Sequence, residues 1–235
     1  MKTAMIRLIS AFFIALLITG CSGNKSEQSV SKAEPINAKT VDEVVQEAVA
    51  TADKEIPNAP SIAGDIPVLL NRRAAALEYL NNWMMENQQA IIRDDDALEK
   101  SKGFATDRDS AFLRVETIYS KLIEEAVKQM GDNEIPLDLD SRYFTEGTAK
   151  VREAGESLVY FSYDLKAVED RRGYYRVVVQ YLDENGNELS SDEAMSANIT
   201  TKNDVPVCCF DQSASVTDIA QARKLRVTLR TDDVQ

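Results

Sequence analysis

The chain contains no histidine in its 235 residues. That absence excludes Ser-His-Asp and Cys-His nucleophile pairs, imidazole proton shuttles, HExxH metal sites and Cys2His2 fingers. Basic charge is also scarce: 27 Lys and Arg stand against 39 Asp and Glu, a net charge of −12. Such a chain lacks the basic face that neutralises phosphates, so no nucleic-acid partner is expected. Its three cysteines form no CxxC pair. There is no GxSxG, Walker A or GxGxxG segment. No metal and no cofactor is implied. What is present is 44% hydrophobic residues, enough for a globular body.

Lys2 and Arg7 precede an apolar run over residues 8–18, and the small residues Thr19 and Gly20 precede Cys21. This is the order of a secretory signal, and the run is shorter than the ~20 residues a membrane-spanning helix needs. The segment Leu17-Ile18-Thr19-Gly20-Cys21 resembles the lipobox of bacterial lipoproteins. That resemblance implies cleavage before Cys21, with a diacylglycerol and an N-acyl chain such as palmitate placed on it. Ser22 follows the cysteine, where Asp would signal retention in the inner membrane. The resemblance therefore implies a lipid anchor in the outer membrane, with the protein on the periplasmic side. Each buried CH2 contributes ~0.8 kcal/mol, so three chains hold firmly. Residues 1–20 are expected to be the signal peptide and residues 21–39 a flexible tether, since 22–39 are small and polar with no packing pattern. Two S-x-x-K matches, Ser22…Lys25 and Ser29…Lys32, fall in that tether, where no oxyanion hole can be fixed.

The remainder reads as α+β: a helical region over residues 40–131, then a small antiparallel β-sandwich over 132–235. Thr40 and Glu43 form a capping box, and Val41, Val44, Val45, Ala48 and Val49 follow at helical spacing. A second helix is expected from Asp65, with Pro67 in its first turn and Leu70, Leu77, Met84 and Ile91 spaced by seven. A charged connection over residues 93–107 leads to a third helix over 110–130, closed by Gly131. Beyond Asp132 the period switches to two. Val159, Phe161, Tyr163 and Leu165 alternate with polar neighbours, as do Tyr175, Val177, Val179 and Tyr181, and Leu225, Val227 and Leu229. Asn185-Gly186 signals a hairpin turn. The stretch over residues 174–186 resembles the central hairpin of immunoglobulin-like modules in envelope lipoproteins.

Chemistry-bearing candidates are few. Cys208 and Cys209 are adjacent, so a strand would put their side chains on opposite faces. Inert thiols, a vicinal disulfide and a redox or metal pair all remain open for them. Asp183-Glu184-Asn185-Gly186-Asn187-Glu188 resembles part of a calcium loop but departs from the EF-hand order, and a solvated hairpin tip is expected there. Tyr174 shares a strand face with Arg176, and these two are the candidate binding surface. The expectation is a non-catalytic lipoprotein that contacts an envelope protein partner. The alternatives are a carboxylate-based ligand-binding protein or hydrolase acting on envelope glycans, and a thiol redox role.

Overall fold

A computed structural model of the chain describes residues 39–59, 61–92, 96–169, 173–202 and 205–230. Cys21 and the lipobox lie outside the described residues. The structure is α+β, with four helices and seven strands among the described residues. Helix α1 (Val41–Glu55) carries the predicted capping box: Thr40 Oγ1 accepts from Glu43 N at 3.3 Å, and Thr40 N donates to Glu43 Oε2 at 2.8 Å. Val44, Val45, Ala48 and Ala52 form its buried stripe. Thr40→Ala is expected to cost about 1 kcal/mol, read as an earlier midpoint in urea unfolding.

Helix α2 (Ile66–Ile92) and helix α3 (Ala97–Gly131) pair as a hairpin against α1. Trp83 meets Phe104 at 5.0 Å between ring centroids, and Arg73 Nη2 meets Glu116 Oε2 at 2.7 Å. Those two contacts run in opposite chain directions, so the helices are antiparallel. Arg73, which breaks the apolar heptad of α2, is thus a tie to α3.

The third helix starts thirteen residues earlier than the periodicity predicts, at Ala97 rather than Ser110. Residues 97–109 include Ala97, Leu98, Glu99, Lys100, Lys102 and Ala105, which favour helix, but carry no apolar stripe. Phe104 on Trp83 supplies the packing. Gly131 is the last helical residue and Asp132, in right-handed conformation, is the C-cap, so no left-handed glycine closes this helix.

The strands are β1 (Ile135–Leu139), β2 (Phe144–Ala154), β3 (Leu158–Ala167), β4 (Gly173–Leu182), β5 (Glu188–Lys202), β6 (Val205–Ser215) and β7 (Lys224–Leu229), with the short helix α4 (Val216–Ala220) before the last. They do not divide into the two facing sheets of the expected sandwich. They form one sheet in the order β1-β2-β3-β6-β5-β4-β7, closed into a barrel. Closure comes from a parallel pairing of β1 with β7, from Leu137↔Leu225 to Leu139↔Val227. Alternation cannot distinguish the two forms, because both bury one face of every strand.

Inside the barrel lie Ala149, Val151, Val159, Phe161, Tyr163, Leu165, Val177, Val179, Tyr181, Leu225, Val227 and Leu229, all buried. The Asn185-Gly186 turn is present: Gly186 has φ 83°, and Asp183 Oδ1 accepts from the backbone N–H of Asn185 and Asn187 at 2.8 and 2.9 Å. The helices and strands share one continuous core. Helix α3 packs on β2, and Ser61 Oγ donates to Ile219 O of α4 at 3.0 Å.

Candidate functional site

Three places concentrate polar chemistry. The first is a groove of about 450 Å³ on the outer wall of β2, β3 and β6. Most of its residues are outward-facing alternates, among them Lys150, Arg152, Asp164, Cys209 and Asp211, with the inward Tyr163 and Phe210 also reaching its wall. They pair among themselves: Lys150 Nζ with Glu134 Oε1 at 3.3 Å, and Arg152 Nη1 with Asp211 Oδ1 at 3.5 Å. The second is a cleft of about 340 Å³ on the helical side, lined by Lys39, Tyr79, Trp83 and Glu86. There Glu47 Oε2 accepts from Lys39 Nζ and Tyr79 Oη, both at 2.5 Å. The Lys39 bond, then the Tyr79 bond, holds the Glu47 carboxyl below its usual range.

The third place is inside the barrel. β5 and β6 pair only from Ile199↔Cys208 to Lys202↔Val205. Before that stretch β5 runs beside β4, and after it β6 runs beside β3. No ladder joins residues 188–198 to 209–215 among the described residues. The barrel is therefore closed at the β5–β6 turn and slotted beyond it. One extra β5 residue between Ala194 and Ala197 changes which alternates face inward. Ser190, Asp192 and Ala194 stand opposite Tyr181, Val179 and Val177, on the inner face. Gln212 stands opposite buried Phe161 on the other lip.

Four polar side-chain atoms in this interior are buried without a hydrogen-bond partner: Tyr163 Oη, Tyr181 Oη, Ser190 Oγ and Gln212 Oε1. Burial raises the Tyr163 and Tyr181 hydroxyls, with the charge of Asp192 adding to both. Burial, followed by the charge of Asp218 on α4, raises Asp192, while the Tyr181 hydroxyl pulls it back. The unfolded chain therefore releases the Asp192 proton more readily than the fold does. Stability attached to this group falls as pH rises through 3.8 and stays lower above it. Asp192→Asn is expected to raise the melting temperature at pH 7 and to leave it unchanged near pH 3.

The predicted site residues are dispersed. Cys208 is buried and faces inward, and burial followed by the neighbouring Cys209 pushes its thiol up to about 12. Cys209 faces outward, its Sγ 3.4 Å from Asp164 Oδ1. Arg176 is exposed on β4, where its guanidinium lies 3.9 Å from Glu193 Oε2. Glu193 also holds Arg230 at 2.6 Å. The side chain of Tyr174 and the whole of Cys21 lie outside the described residues. Sequence reading missed Ser190, Asp192 and Gln212. The available signal was a polar segment, Ser190-Ser191-Asp192-Glu193, following a hairpin turn where a strand was due.

No protein-family model, curated protein or solved structure matches this chain.

Proposed function

We propose that this protein is a lipid-anchored, periplasm-facing module of the cell envelope that binds a protein partner and catalyses no reaction. The lipobox-like segment ending at Cys21 supports the anchor. The observation that carries the binding reading is the outer-wall groove of about 450 Å³, rimmed by exposed ion pairs on rigid strands. Each such pair contributes ~0–1 kcal/mol, so a partner can exchange them for its own at little cost. This reading does not depend on an immunoglobulin-like sandwich, because a closed barrel offers an equally rigid wall. The redox reading draws no support from Cys208, whose buried thiol stays protonated at neutral pH.

Crosslinking in cells, with metabolic acyl labelling, tests the proposal. The wild-type protein is expected to carry the label and to capture reproducible partners. Cys21→Ala should lose the label and those partners. The pair Lys150→Glu with Arg152→Glu should keep the label and lose the partners. Normal acylation with no reproducible partner would overturn the binding reading, and an unlabelled wild type would overturn the anchor.

A further inference from the structure

The barrel interior holds more unpaired polarity than a core tolerates. A buried polar atom without a partner costs about 1–3 kcal/mol, and most native domains show few. Here four such atoms lie in one barrel beside a half-buried carboxylate. Tyr181 is 0% exposed and Tyr163 is 2% exposed, so neither hydroxyl is relieved by bulk solvent. Asp192 has no basic partner among the described residues. Of its neighbours, the Tyr181 hydroxyl favours the anion, while the charge of Asp218 opposes it. The inward positions of β7 are the apolar Leu225, Val227 and Leu229, and that of β6 nearest the turn is neutral Cys208.

We propose that the slot between β5 and β6 admits a small organic ammonium, held by the Asp192 carboxylate and the hydroxyls of Ser190, Tyr181 and Tyr163. The chemistry selects this class. Asp192 and Gln212 Oε1 accept hydrogen bonds, and the three hydroxyl oxygens can accept as well. The ligand must therefore be rich in donors. The inward Asp192 carboxylate, with the charge of Asp218 acting on it from α4, disfavours anions and favours positive charge. The rings of Tyr163 and Phe210 stack at 4.6 Å with 8° between their planes, giving an aromatic wall beside the hydroxyls. Such a wall also favours cations. No cluster of three or more Asp, Glu or Cys able to hold a metal exists among the described residues, which points away from an inorganic ion. The slot supplies the route: no β5–β6 ladder has to break, and the half-buried Asp192 and Gln212 stand on its two lips. Tyr163 and Phe210 also line the outer-wall groove, whereas Ser190, Asp192 and Tyr181 do not, so substitutions at these three test the interior site alone.

The test is calorimetric titration of the full-length, detergent-solubilised protein at pH 7 with 1,4-diaminobutane, using 1,4-butanediol as its uncharged counterpart. Saturable binding of the diamine and none of the diol is expected. Asp192→Asn should weaken the diamine at least about tenfold while the protein itself becomes more heat-stable, a combination that misfolding cannot produce. Ser190→Ala, which changes no charge, should weaken it severalfold. Lys121→Glu, exposed on α3, should leave binding unaltered. No saturation by about 10 mM diamine, equal binding of the diol, or undiminished binding by Asp192→Asn would each overturn the proposal.

Discussion

Phe161→Ala is expected to destabilise the protein by about 3–5 kcal/mol and to lower its melting temperature by roughly 6–20 °C. Phe161 is fully buried at the centre of β3. Its neighbours across the ladder are Val151 on β2 and Gln212 on β6. Its ring lies 6.2 Å from that of Tyr163. Removing the ring leaves a cavity that cannot readily collapse, because β3 is held on both sides, by β2 and by β6. The adjacent Tyr160 faces outward and is 38% exposed. Tyr160→Ala should change stability by less than about 0.5 kcal/mol. Thermal unfolding of the two variants side by side checks the facing of β3. Equal losses would mean that the barrel interior is wrongly assigned.

Asp140→Ala should remove about 2–3 kcal/mol at neutral pH, through loss of several charge-assisted hydrogen bonds at the barrel seam. Asp140 follows β1, and its carboxylate accepts from Arg142 Nη2 at 2.6 Å, Arg142 N at 3.1 Å and Thr228 Oγ1 at 2.9 Å. Its backbone N–H donates to Val227 O at 3.0 Å. The residue therefore fastens the end of β1 to β7. The guanidinium of Arg142, first of all, holds this carboxyl well below the usual carboxylate range, with the Arg142 backbone and Thr228 adding to it. A lowered carboxyl contributes fully above its ordinary value of 3.8, and that contribution fades as pH falls below it. Urea unfolding of wild type and variant should show a wide gap at pH 7 that narrows in acid. A gap constant from pH 7 to pH 3 would show that Asp140 acts by shape rather than charge.

Much of the fold was legible in the sequence wherever burial imposed a period. The Val44–Val45–Ala48 stripe of α1 and the alternation around Phe161, Val179 and Val227 each report one buried face. The failures have physical causes. Residues 97–109 form helix without an apolar stripe, since Phe104 alone contacts α2 through Trp83. The order of the strands was hidden, because the β1–β7 pairing joins segments almost ninety residues apart through backbone bonds that carry no side-chain signature. β5 was invisible because its inward positions are Ser190 and Asp192 rather than Val or Ile. Where the interior is polar, the hydrophobic period disappears. The candidate interior site was thus masked by its own chemistry, while the outer-wall groove needed the barrel before its charges could converge.

The parallel seam also sets a timetable. Helices α1, α2 and α3 make contacts mostly local in the chain and can form as soon as they are synthesised. The barrel cannot close until β7 arrives, because β7 alone bridges β4 and β1. Until then two strand edges stay open and can recruit another chain. A chain that has emerged only as far as residue 223 would hold a helical hairpin already folded and an aggregation-prone sheet attached to it, so the interval before the final strand is when this chain most needs a holdase.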